Sequence, residues 1–142
     1  MRAIVVGTDG SPGAERALRR AVNIAKATGA QLHVVTAYPD GSYRETVGGT
    51  ARTETIDFRE AAEGVLAREA SHAQSEGVSV ETQARQGDPA QVLIDVAEEM
   101  GAELIVVGAR GLTGLQRWLL GSVSSKLSHH AHCDVMIVRE DS

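Results

Sequence analysis

Asp9 stands just past the apolar run Ala3 to Gly7, in "VVGTDGS", and a second chemical candidate lies far along the chain in "GARGLTGLQRWLLGSVSS". There Gly108, Gly111 and Gly121 are spaced ahead of Ser122 and Ser124. A glycine has no Cβ, so its backbone can take positive φ and approach a bulky anion closely. The first N–H groups of a helix carry partial positive charge, and Ser122 and Ser124 would add hydroxyl donors at such a start. A phosphate chain could then lie between the first glycines and the helix, facing Asp9 if the two preceding strands are neighbours. The same residues have a plainer use: glycines after strands make turns, serines cap helices, and an aspartate after a strand organises a turn. Two familiar phosphate motifs do not apply. "GTDGSPG" is G-x-x-G-x-x-G rather than the dinucleotide G-x-G-x-x-G, and no G-x-x-x-x-G-K-[ST] stretch occurs.

Other groupings invite chemistry less. His129, His130, His132 and Cys133 crowd together in "HHAHC", a set of metal-ligand types. Adjacent helical residues point in different directions, however, and histidine near a helix C-terminus is favoured by the dipole alone. Cys133 as a nucleophile would need an activating environment that the sequence does not place around it, so it is expected to be a buried bystander. Arg110 and Lys126 are cations near the glycine stretch and are expected to be solvated. Trp118 with Leu115, Leu119 and Leu120 is too apolar for a simply solvated loop, and is expected to anchor it or to form a contact.

The elements that must position these residues follow from patterning. "AIVVG" and "ELIVVG" are near-continuous apolar runs, as strands buried on both faces are; "QLHVVTAY" and "VMIV" resemble them, while "VSVETQA" alternates. Four helical patterns lie between. The first has Ser11 as N-cap, Pro12 next, a stripe of Ala14, Leu18, Ala21, Val22 and Ala25, and Gly29 as its stop. The second runs from about Thr55 to Glu76 with Phe58, Ala62, Val65, Ala70 and Ala73 inward and Gly77 behind it. The third opens on Asp88, Pro89 and Gln91 and closes at Gly101. The fourth begins at Gly121 or Ser122 and carries Val123, Leu127 and Ala131. Pro39 to Glu54 is polar and aperiodic and is expected to be a long loop. Strict alternation of strand and helix predicts an α/β fold, a parallel sheet with helices on both faces, whose ligands bind beyond the carboxyl ends of the strands where strand order reverses.

Composition sets the bounds. The 142 residues suit a single domain, 1–142, and with aromatics at 3% the core must be built from Val, Ile, Leu and Ala. A net charge of −5 offers no basic footprint for nucleic acid or anionic membrane. No apolar stretch is long enough to span a bilayer and the N-terminus enters a strand pattern directly, so a cytoplasmic protein is expected. Cys133 is the one cysteine, which leaves no intrachain disulfide.

The spacing Gly108-x2-Gly111-x9-Gly121-Ser122, behind a buried strand and opening the last helix, resembles the nucleotide-binding signature of the universal stress protein family in its ATP-binding branch. The resemblance spans the chain, through "IVVGTDGS", "LHVV", "GDPAQVLIDVAEE" and "SHHAHCDVMIVR". It implies an open, Rossmann-like, five-stranded parallel sheet of order 3-2-1-4-5, with adenine nucleotide across the ends of strands one and four. By the same resemblance Asp9 is the acid near the adenosine and its metal, Val34 the second-strand backbone position that reads adenine, and Val107 a flank of base or ribose. Gly108 and Gly111 approach ribose and phosphates, and Gly121, Ser122, Val123 and Ser124 hold the phosphates. It also implies homodimers through the last strand, an edge whose unpaired apolar residues invite a second copy. Asp134 and Gly7 depart from the family where many or some members have proline.

Hydrolysis would need a positioned base and a cation on the transition state. Asp9 is the one credible acid, and no catalytic residue is assigned. The expectation is a cytoplasmic stress-response regulator or sensor that binds ATP, with Mg²⁺, and turns it over slowly at most. Two alternatives stand beside it: a cyclic AMP or AMP binder using the same crevice, and a dimeric interaction module without nucleotide.

Overall fold

The computed structural model describes residues 1–46, 52–109 and 122–139. The chain runs β1 (Ala3–Gly7), α1 (Pro12–Thr28), β2 (Gln31–Tyr38), β3 (Ser42–Thr46), β4 (Thr53–Asp57), α2 (Phe58–Ser75), β5 (Val80–Gln86), α3 (Pro89–Met100), β6 (Leu104–Gly108), α4 (Ser122–His130) and β7 (Asp134–Val138). Five strands form one parallel sheet in the order β5-β2-β1-β6-β7. Leaving β3 and β4 out of the count, that order is 3-2-1-4-5.

The continuous apolar runs have the expected cause. In β1 and β6 the first four residues are all buried, because alternate side chains enter two separate cores. Ile4, Val6, Leu32, Val34 and Val106 pack under α1 and α2, whereas Val5, Val35, Ile105 and Val107 pack under α3 and α4. Helix ends fall where the punctuation predicts. Ser11 caps α1 by accepting from Ala14 N, Asp88 caps α3 by accepting from Gln91 N, and Gly29 and Gly101 close these helices with φ of 75° and 62°. Among the described residues no helix is long and apolar enough to cross a membrane.

The stretch expected to be a long loop is instead largely a hairpin, β3 pairing antiparallel with β4, so the simple strand–helix alternation is interrupted. Thr, Tyr and Ile in "SYRET" and "TETID" are strand formers, and Tyr43 lies 5.2 Å, ring to ring, from Phe58. The hairpin also claims Thr55 to Asp57, so α2 starts at Phe58. Asp57 caps it, its carboxylate accepting from Arg59 N and Glu60 N. The buried stripe of α2 is Ala62, Leu66, Glu69 and Ala73: Ala62 and Ala73 face inward as expected, while Leu66 and Glu69 take the places expected of Val65 and Ala70, so the stripe contains an acid.

Candidate functional site

From β1 the chain moves outward to β2 and then β5, then returns to lay β6 against the other side of β1 and β7 beyond it. Strand order therefore reverses between β1 and β6, which pair through Ile4–Leu104, Val5–Ile105 and Val6–Val106. In a parallel sheet such a reversal leaves a crevice beyond the carboxyl ends, where ligands are taken. Asp9 and Gly108 stand on its two sides.

The β1–α1 turn is built by side-chain hydrogen bonds to backbone. Thr8 N donates to Val35 O at 2.9 Å, extending the β1–β2 ladder by one rung. Gly10 N donates to Thr8 Oγ1 at 3.1 Å, and Ser11 N donates to Asp9 Oδ1 at 3.0 Å. Gly10 has φ of 80°, a left-handed turn that favours glycine. Asp9 itself is exposed, and the turn orients its carboxylate through the bond from Ser11 N.

On the opposite side the glycine has a reason that spacing did not show. Gly108 does not take positive φ; a Cβ there would meet Gly13 O at 2.8 Å and Gly13 C at 2.9 Å. Its missing side chain lets the first turn of α1 press against the end of β6. Ser124, 1% exposed, donates its hydroxyl to Gly108 O at 2.9 Å and so ties α4 to the same peptide. That hydroxyl is committed inside the protein rather than offered as a donor. Ser122, at the first residue of α4, is exposed, and Val123 packs half-buried against the α3/α4 core.

The crevice thus gathers Asp9, Gly108 and the start of α4. Val107 is buried beside Gly7, its Cγ1 3.3 Å from where a Cβ would stand. Val34 is placed differently: it lies inside β2, aligned with Val6 and Thr82, with its side chain wholly in the α1/α2 core. Gly111 and Gly121 lie outside the described residues, as do Arg110 and Trp118.

Lys126 is exposed, as expected, and reaches Asp88 Oδ2 at 3.0 Å, bridging α4 to the cap of α3. This bond, with that from Gln91 N, holds the Asp88 carboxyl below its ordinary range. The histidine cluster is dispersed. His129 Nδ1 lies 2.8 Å from Ser125 O and His132 Nδ1 2.7 Å from Glu98 Oε1. Among the described residues no three His, Cys, Asp or Glu side chains are grouped to hold a metal ion. Cys133 is half-buried, and burial followed by the charge of Asp134 pushes its thiol up, away from thiolate reactivity. It lines, with His132 and Glu98, a depression of about 230 Å³ beside Gly101 and Ala102, before β6 and hence at the end of the sheet opposite the crevice.

Two polar groups near the crevice escaped the patterning. Thr36, next along the β2 register from Val35, is 6% exposed, and its hydroxyl has no hydrogen-bond partner among the described residues. Glu69, also 6% exposed, accepts from Thr8 Oγ1 at 3.0 Å. The signal for Glu69 was available: an acid at the i, i+4, i+7, i+11 stripe Ala62, Leu66, Glu69, Ala73 is an acid facing the core.

Fold and site together define an open parallel α/β protein whose strand order reverses between β1 and β6, with a carboxylate and a helix start at the carboxyl ends there. The sequence profile of the universal stress protein family matches residues 1–139, and the chain belongs to that family. A universal stress protein of Methanocaldococcus jannaschii is 34% identical over 139 residues, covering 96% of this chain and 81% of that protein. Among solved structures, a universal stress protein in complex with cAMP superposes with a TM-score of 0.75 at 32% identity, covering 97% of this chain and 96% of that one. One from Archaeoglobus fulgidus in complex with dAMP has a TM-score of 0.72 at 26% identity, with 98% of each chain covered.

Proposed function

We propose that this chain binds an adenine nucleotide in the β1/β6 crevice as a stress-response regulator or sensor, and that ATP with Mg²⁺ is the form it takes. The observation that carries this is the joining of the site's two sides through one peptide, with Gly108 packed on Gly13 and its carbonyl held by Ser124. Similar structures in complex with cAMP and dAMP support the adenosine part.

Asp9 would engage the ribose side and a bound Mg²⁺, a role that fits its exposed carboxylate. Val107 would flank base or ribose, and the backbone at Val34 would read adenine from the β2 side. Gly108 and Gly111 would lie against ribose and phosphates. Gly121, Ser122, Val123 and Ser124 would receive phosphate through amide N–H groups and the Ser122 hydroxyl, as a helix start can. Lys126 is held by Asp88 rather than offered to a phosphate, which favours a binding protein with slow turnover at most. We also propose a cytoplasmic homodimer formed through β7, an outer strand of the sheet.

Calorimetric titration with AMP, cAMP, ATP and MgATP separates the possibilities. Tighter binding of MgATP than of AMP supports the proposal; preference for cAMP or AMP favours the monophosphate alternative, and no binding by any of the four overturns nucleotide binding. Thermal unfolding gives an independent readout. Nucleotide at 100 times Kd should add about 2.7 kcal/mol of stability, a rise of roughly 10 °C for a domain of this size.

A further inference from the structure

Helix α2 places a carboxyl group in its inward stripe, where burial opposes ionisation and costs stability unless a partner compensates. The partner is Thr8, 61 positions away in sequence, whose hydroxyl donates to Glu69 Oε1 at 3.0 Å. The same hydroxyl oxygen accepts from Gly10 N at 3.1 Å. Asp9 lies between these two residues, and its own carboxylate accepts from Ser11 N. Helix α2 also covers the turn sterically: a Cβ on Gly10 would stand 3.1 Å from Val65 Cγ2 and 3.7 Å from Arg68 Nη2. The Thr8 backbone is tied to β2 through Val35 O, and Glu69 adds a side-chain link from the Thr8 hydroxyl to α2.

We propose that Glu69 is a positioning residue for the crevice, holding the Asp9 turn from beneath through Thr8 and thereby governing how tightly the crevice takes adenine nucleotide. This rests on the nucleotide-binding reading above. Glu69 does not touch the ligand; it fixes where the Asp9 carboxylate stands. The groups facing it are few. Glu15 of α1 adds negative charge, while Arg68 and His72 of α2 add positive charge. On the sheet beneath, β2 and β5 present Thr36, Val80 and Ala84, which do not titrate in the ordinary range. Burial is the largest influence and raises the Glu69 carboxyl above its ordinary value, so the link changes protonation as pH rises from the acid range.

The test compares wild type with Glu69→Gln, Glu69→Ala and Thr8→Val, in full-length protein, by hydrogen exchange without ligand and by calorimetric titration with AMP and MgATP across pH. Glu69→Ala and Thr8→Val should each raise exchange at Gly10 and Ser11 by about tenfold over any change at the β1 amides. Each should weaken nucleotide binding by about five- to tenfold, and the pair together no more than either alone. Glu69→Gln keeps an acceptor for Thr8, so it should bind within about twofold of wild type but lose the pH dependence of affinity that wild type shows. Unchanged Gly10 exchange in Glu69→Ala, or a double variant that binds more weakly than Thr8→Val alone, would overturn the proposal. A wild type that binds neither nucleotide removes the proposed function and the affinity half of this proposal, while Gly10 exchange still decides whether Glu69 holds the turn.

Discussion

Replacing Gly108 with alanine adds one methyl group where the protein has backbone on the far side. The added Cβ would stand 2.8 Å from Gly13 O and 2.9 Å from Gly13 C, inside the first turn of α1. Comfortable separation for such atoms is about 3.5 Å, so β6 and α1 must part by roughly half an ångström or more. Neither can move freely, because Gly108 sits in the β6–β7 ladder and Ser11 caps α1 on the buried side of the turn. Overpacking of this kind costs about 1–3 kcal/mol. With a urea m-value of about 2 kcal/mol/M, the unfolding midpoint should fall by roughly 0.5–1.5 M at unchanged m. Two further alanines calibrate the argument. At Gly7 the added methyl meets Leu93 Cδ1 at 2.7 Å, the tip of a side chain that can rotate, so the cost should be smaller than at Gly108. At Gly64, on the exposed side of α2 with nothing within 4 Å, alanine should stabilise by about 0.5–1 kcal/mol. A Gly108→Ala midpoint within 0.2 M of wild type, on the order of the extrapolation error, or a larger loss at Gly7, would refute this account of the glycine.

Ser124→Ala leaves the Gly108 carbonyl without its donor and should cost about 1–2 kcal/mol in the same urea titration. Ser11→Ala removes the cap of α1 and should cost about 1 kcal/mol. Because the folded-state value of Glu69 is raised above the ordinary 4.5, the folded protein holds its proton more tightly than the unfolded chain. Its contribution is therefore fully present below 4.5 and lost as pH rises through the folded value, and Glu69→Gln should flatten that decline in a pH series of unfolding curves. Sedimentation velocity of the wild type should give the coefficient of a dimer; a wild type that sediments as a monomer would remove the edge-strand proposal.

Much of the sheet was legible because its signals are local. "AIVVG" and "ELIVVG" state burial on both faces within five or six residues, and Ser11, Asp88, Gly29 and Gly101 state helix ends within one turn. The hairpin was not legible, since "SYRET" and "TETID" are polar and their pairing depends on each other rather than on a core. For the same reason α2 was started too early. In the crevice, Asp9 and Gly108 were located by type and spacing, but what each residue does there depends on contacts distant in sequence. Gly108 is small because of Gly13, the Ser124 hydroxyl belongs to Gly108, and Glu69 matters because of Thr8, pairs separated by 95, 16 and 61 positions.

Gly108 also acts as a common mount. The first turn of α1 rests on its α-carbon, and α4 hangs from its carbonyl through Ser124. A single peptide unit therefore gauges the gap between the two helix starts, so a shift of β6 by any distance carries both walls with it.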